Sequence, residues 1–348
     1  VNAVTKRGGN DLSGSYRAQM NNPEWTSLNP FEEQSGLTRT DDVNLVHEGT
    51  LGGPIVKDRL WFFLAGRSAS TRTSNVFPDT GIGTDVEQEN KRGQIKLTGT
   101  VRTNHTLSGT YLNNATDQTQ PTFGFATAGI RSIDPNTIAT RTLPNSLKVA
   151  TYTGILRPDL ILEAQFSEKK FEFKDNGGTD TNLVSGSPFL TLGATTGALG
   201  HYNAPYFDAT DPEQRNNRQL AASLSYYVTT DRLGRHDLKG GYENYRSTNT
   251  GGNSQSPTNY VFYADYAQGP GGVPLRDAEG FIIPSFVSGE SLRTLYLAER
   301  NARIDTTTSS FYLNDHVQLG SHWSANLGVR YERVRSEATG GIVGIDTD

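Results

Sequence analysis

Trp323-Ser324-Ala325-Asn326-Leu327-Gly328-Val329-Arg330-Tyr331-Glu332 is the stretch that decides the fold. Side chains alternate across an extended strand, so Trp323, Ala325, Leu327, Val329 and Tyr331 share one face. Ser324, Asn326, Gly328, Arg330 and Glu332 share the other, which is polar and charged. Residues 219–228 repeat the pattern, with Leu220, Ala222, Leu224, Tyr226 and Val228 on the apolar side. Residues 94–102 repeat it again, setting Ile95, Leu97 and Val101 against Gln94, Lys96, Thr98, Thr100 and Arg102. Residues 147–156 read in either phase. Phe171 and Phe173 fall out of phase with Leu162, Ala164 and Phe166, which a bulge near 168–170 or a strand running past a bilayer would explain.

Extended outward, this period predicts eleven strands, at 11–21, 43–53, 59–70, 90–102, 106–117, 146–156, 160–174, 217–228, 237–249, 303–318 and 323–337. Connections near 54–58, 103–105, 157–159, 229–236 and 319–322 are short. Those near 22–42, 71–89, 118–145, 175–216 and 250–302 are long and rich in Gly, Asn, Thr, Asp and Pro. Strict alternation of short and long connections is what an up-and-down barrel produces, because successive turns emerge at opposite ends. Outer-membrane barrels put short turns on the periplasmic side and long loops outside. Greek-key sandwiches mix the two ends.

Composition agrees. Of 348 residues, 37 are Gly and 34% are hydrophobic, below the usual ~45–50%. The longest apolar run, 60–65, is far short of the ~20 residues of a membrane helix, whereas a membrane strand need only alternate. The absence of Cys removes disulfides, thiol nucleophiles and thiolate metal sites. A net charge of −5 gives no reason to expect a nucleic-acid partner. No apolar segment in the first 30 residues reads as a signal peptide. Trp61-Phe62-Phe63, after the turn at Lys57-Asp58-Arg59, and Trp323, after Gly320-Ser321-His322, are expected to form an interfacial aromatic girdle. Eleven strands with two free edges cannot rest in hydrocarbon. Further strands after Asp348 are therefore expected, and the chain alone should not insert stably.

Two segments carry a family resemblance. Val1-Asn2-Ala3-Val4-Thr5-Lys6-Arg7-Gly8-Gly9-Asn10, followed by Leu12-Ser13-Gly14-Ser15, resembles the passage from plug to first barrel strand in TonB-dependent receptors. Residues 48–63, Glu-Gly-Thr-Leu-Gly-Gly-Pro-Ile-Val-Lys-Asp-Arg-Leu-Trp-Phe-Phe, resemble the hallmark of the Oar-like branch of that family. Residues 311–316 through 326–332 look like mid-barrel strand pairs of such receptors. The resemblance implies an all-β, antiparallel up-and-down transmembrane β-barrel, of which this chain is about half of some 22 strands around a plug. It further implies that 1–10 is the end of the plug and 11–348 the first half of the barrel. The implied function is energy-coupled uptake of a siderophore, oligosaccharide or peptide across the bacterial outer membrane. The implied partners are outer-membrane lipid, an extracellular ligand and a periplasm-spanning TonB-type transducer, reached through an N-terminal segment not in this chain. Gly52-Gly53-Pro54 reads locally as a turn at a strand end.

No catalytic constellation is present, so no enzyme activity and no cofactor are expected. Six histidines include no HExxH pair. His316 and His322 flank one turn, but two ligands do not make a metal site. Neither a phosphate-cradling GxxxxGK[ST] nor a GxSxG elbow occurs, and 175–180 has the composition of a calcium loop without its spacing. Ligand capture is assigned to long loops, with His201, Tyr202 and Tyr206 in one and Tyr260, Tyr263 and Tyr266 in another, since aromatic side chains with polar tips hold organic ligands at low entropy cost. The alternative is that they pack the loops together or form a hairpin over 258–266. Alternative functions are a passive porin, an adhesin barrel, or a soluble β-rich carbohydrate-binding protein.

Overall fold

The computed structural model describes residues 6–28, 30, 39, 41–76, 83–121, 130–132, 138–174, 187, 189–190, 199–201, 213–231, 233–253, 258, 260–278, 280–295 and 299–347. Its strands are β1 (Ser13–Asn21), β2 (Asn44–Val56), β3 (Leu60–Val76), β4 (Gly83–Arg102), β5 (His105–Pro121), β6 (Ile130–Ser132) and β7 (Ile138–Leu143). There follow β8 (Asn145–Arg157), β9 (Leu160–Phe173), β10 (Phe189–Leu190), β11 (Leu199–His201), β12 (Glu213–Thr230) and β13 (Gly234–Asn253). The last are β14 (Tyr260–Tyr263), β15 (Asp265–Tyr266), β16 (Pro284–Ser285), β17 (Leu292–Leu295), β18 (Glu299–Leu319), β19 (Trp323–Ala338) and β20 (Ile342–Asp346).

One antiparallel sheet runs in the order β1-β2-β3-β4-β5-β8-β9-β12-β13-β18-β19-β20, with β7 beside the outer end of β5. Each of the eleven expected strands is present, and the long ones are neighbours in chain order. Among the described residues the sheet is open, with β1 at one edge and β20 at the other. No described helix is long and apolar enough to cross a membrane.

The sheet is inverted relative to a water-soluble fold. Leu224, Leu313, Leu327 and Val329 are 43–66% exposed, and few hydrophobic side chains are buried. Partners directly opposite in a ladder share a face, and the apolar residues follow one face across every long strand. They include Leu51, Leu64, Ile95, Leu97, Leu220, Leu224, Leu313 and Leu327. Residues 147–156 resolve into one phase: Lys148, Ala150, Tyr152 and Gly154 face outward.

The register is sloped. A row of partners beginning at Gly53 and Phe62 passes through Leu97, Gly109, Ala150, Phe166, Leu220, Asn244 and Ser309 to Arg333. Phe62 is near the short-turn end of β3, while Arg333 is far up β19. The row thus climbs about one residue per strand, which at about 3.3 Å per residue and 4.8 Å per strand tilts the strands by about 35°. That is the tilt a barrel requires. At this tilt the apolar run from Leu220 to Val228 stands about 22 Å tall, close to the ~25 Å band of outer-membrane barrels.

Several details depart from the sequence reading. Trp61 pairs with Thr98 and Phe63 with Lys96, so both lie on the polar face, and only Phe62 faces outward. Trp323 does face outward, 75% exposed. A second aromatic row, Tyr242–Phe311–Tyr331, crosses the outward face toward the long-loop end, with the first two rings 4.6 Å apart. No register shift occurs at 168–170; β9 keeps one register with β8 there, and Phe171 and Phe173 simply belong to the polar face. Gly52, Gly53 and Pro54 lie inside β2, and the turn is at 57–59, where Asp58 takes φ 63°. The region after β19 is not a long loop, since β20 folds back across 339–341 and pairs with it.

Candidate functional site

Two faces and one rim carry the chemistry. On the polar face, Glu48 joins Arg17 and Arg67, with N–O distances of 2.5 and 3.0 Å. Arg67 and Asn90 continue the chain to Asn114 and Thr116. Farther round, Lys239 meets Glu163 at 3.1 Å and Gln219 donates to Glu243 at 2.6 Å. Glu163, Gln165, Ser223, Glu243 and Tyr312 line a groove of about 460 Å³ here. Side chains of this kind suit water or a polar plug and would be untenable against lipid.

At the loop end of the same face, Phe173 lies between two guanidiniums, Arg141 at 4.4 Å and Arg215 at 5.7 Å from the ring centre. Phe171 meets Phe173 edge-on, 4.7 Å between centroids, with the Lys169 ammonium 5.7 Å from Phe171. Burial lowers the Arg141 pKa to about 10, so it stays a cation at neutral pH. This cluster of aromatic and cationic groups at the mouth of the polar face is absent from the sequence-based candidates. Its signal was the out-of-phase pair Phe171 and Phe173.

The sequence-based candidates fall on a separate five-stranded sheet, β17-β14-β10-β11-β6, assembled from three different long loops. Leu190 pairs with His201 on one side and, in parallel, with Tyr263 on the other. The two proposed clusters therefore meet on one sheet, two strands apart. Tyr260 and Tyr266 pack against the buried Phe262, Ala264 and Ile282, and Arg293 covers the Tyr260 ring at 4.9 Å. These two tyrosines hold the loops together. They do not form a hairpin over 258–266, because β14 pairs with β17 and β15 with β16. Tyr202 and Tyr206 lie outside the described residues. His316 bonds Asn326 and His322 bonds Ser321, and the described residues contain no cluster fit for a metal ion.

At the opposite rim the two resemblance-bearing segments clasp each other. Asn10 accepts from the Asp58 amide at 3.0 Å and from Trp61 Nε1 at 2.8 Å, and donates to the Asp58 carboxylate. Gly8 is buried against this turn, where a Cβ would stand 2.2 Å from the Phe62 carbonyl oxygen.

Residues 70–348 match the family model described as an outer membrane beta barrel domain. The TonB-dependent transporter Oar of Myxococcus xanthus is 38% identical over 99 residues, which are 26% of this chain and 9% of that protein. Among solved structures, the outer membrane transporter YddB of Escherichia coli superposes with a TM-score of 0.54 at 12% identity, covering 94% of this chain and 39% of its own. BauA, the ferric preacinetobactin receptor of Acinetobacter baumannii, gives 0.53 at 10% identity, covering 96% and 43%. The chain thus spans less than half the length of each of these proteins.

Proposed function

We propose, from the premise that this chain belongs to the outer membrane β-barrel domain family and so resides in the bacterial outer membrane, that it is the ligand-admitting barrel half of a TonB-dependent importer. The observation that carries this is the clasp between 8–10 and the β2–β3 turn. It ties the chain that enters β1 to the polar side of the barrel wall, where a lumen plug would continue. The resemblance to Oar supports the same reading. On this reading residues 1–10 are the end of the plug, a transducer acts on a segment upstream, and no catalysis or cofactor is involved.

Cargo is received at the loop end. Arg141, Phe173 and Arg215 present cations around an aromatic ring on the lumen side, which suits an anionic or aromatic ligand through charge and cation–π attraction. Tyr263 and His201 lie on the loop sheet beyond that mouth and are proposed as further ligand contacts, with Tyr202 and Tyr206 beside them in sequence.

The test is uptake by cells carrying the intact protein, with and without a functional transducer, on growth-limiting siderophore, oligosaccharide or peptide. Import of one such class that stops when the transducer is deleted supports the proposal. Transducer-independent flux, with steady conductance of the purified protein in a planar bilayer, would instead establish a passive pore.

A further inference from the structure

We propose that the outward face of β13, β18 and β19, just above its aromatic row, is a binding site for the phosphate groups of a phosphorylated glycolipid in the outer leaflet. The inference needs the barrel's place in the outer membrane and is independent of import.

Depth comes first. Tyr242, Phe311 and Tyr331 are ladder partners on the outward face. Aromatic rows on membrane barrels mark the boundary between hydrocarbon and headgroups. Below the row toward the short turns the outward residues are Leu238, Leu313, Val329 and Leu327. Above it the character changes within two residues. The next outward rows are Asn244–Ser309–Arg333, then Arg246–Thr307–Arg335, then Thr248–Asp305–Glu337. At about 3.3 Å per residue and about 35° of tilt, Arg246 and Arg335 sit about 11 Å above the aromatic row. An extended arginine can place its guanidinium back down at headgroup level, with its stem on apolar surface. Long loops lie on the extracellular side in such barrels, so these headgroups belong to the outer leaflet.

The residues also form a shaped site. Arg246, Arg303, Asp305, Thr307, Arg335 and Glu337 line an open groove of about 630 Å³ on that face. Asp305 orients two of the arginines, Arg303 through Nε at 2.7 Å and Arg246 through one terminal nitrogen at 3.3 Å. Glu337 takes one terminal nitrogen of Arg335 at 3.4 Å. Three guanidiniums against two carboxylates leave a net positive groove. Arg218 adds a further cation beside Arg246, its ladder partner. The arginine side chains are about half exposed, and such forks match phosphate oxygens in a bidentate way that a lysine ammonium does not. Arginines buttressed by carboxylates, at headgroup height, on the side facing lipid, have no role in a lumen or in loop packing.

The intact protein is reconstituted in phosphatidylcholine vesicles with or without bis-phosphorylated lipid A, and lipid retained after detergent extraction is counted by native mass spectrometry. Wild type should retain the bis-phosphorylated lipid. The Arg246→Gln/Arg303→Gln/Arg335→Gln variant should retain it at least about tenfold more weakly, at about one kcal/mol per basic residue. Arg59→Gln, at the opposite rim, should change nothing. Enzymatically dephosphorylated lipid A offered to wild type gives a second arm that needs no variant to fold, and it should be lost as readily as phosphatidylcholine. Equal retention by wild type and triple variant, equal retention of dephosphorylated lipid, or displacement by equimolar inorganic phosphate would each overturn the proposal.

Discussion

Replacing Leu224 by Lys should destabilise the inserted barrel far more than a lysine one pleat away. Leu224 is the middle of the outward run from Leu220 to Val228, with Leu162 and Gly240 as ladder partners. At the derived tilt it lies about 11 Å from either end of the apolar band, near mid-bilayer. A lysine facing lipid there costs about 2–4 kcal/mol, a cost that falls to about 0–1 near an interface. Val228, four residues nearer the short turns, should therefore tolerate Lys with a loss of under about 1 kcal/mol. Ala221 pairs with Gln165 and Glu243 on the polar face, so Ala221→Lys should also stay within about 1 kcal/mol, its ammonium meeting a carboxylate instead of lipid. Reversible urea titration of the intact protein in phosphatidylcholine vesicles, followed by tryptophan fluorescence, reads all three. Leu224→Lys should shift the folding constant by about a hundredfold. A cost for Ala221→Lys equal to or above that of Leu224→Lys would show that the faces have been assigned backwards.

The clasp makes a paired prediction: Gly8→Ala should open the 6–12 segment to protease because its Cβ meets the Phe62 carbonyl oxygen, whereas Gly9→Ala, with nothing within 4 Å, should not. Asn104 holds φ 68° in the β4–β5 turn; Asn104→Val should lose about 1–3 kcal/mol in the same urea titration, and Asn104→Gly almost nothing. Above the aromatic row, the Arg303 hydrogen bond holds the Asp305 pKa at about 2, below its ordinary 3.8. A depressed carboxyl stabilises the fold above its unfolded pKa, so this contribution should persist down to about pH 4 and disappear from there to about pH 2. A carboxyl-carbon NMR titration with a midpoint at or above the ordinary value would contradict it.

The sheet was readable in the sequence because period two allows only two phases, and a long apolar series such as 220–228 selects one of them. The end of each strand was less readable, since β3, β4 and β12 run several residues past their apolar runs into polar sequence. Trp61-Phe62-Phe63 misled because adjacent aromatics occupy both faces, and only pairing with Thr98 and Lys96 shows which side each takes. The glycines of 52–53 looked like turn residues, but their work is to let backbone and Leu12 approach. Of the candidate site, composition pointed to aromatic loops but not to their partners. Tyr260 and Tyr266 are used up in packing, and Tyr263 meets the strand of His201 only through Leu190, a contact far away in sequence. The arginine groove was invisible to a linear reading. Its members come from three strands and become neighbours only once the register is set.

Because β6, β10 and β14 come from three separate connections yet share hydrogen bonds, those connections are mechanically one body. A cargo that shifts β14 must drag or break the rungs to β10, and through β11 those to β6. An insertion that a solitary surface loop would absorb should here be felt two loops away, so compensating substitutions are expected to arise in a neighbouring segment of the chain.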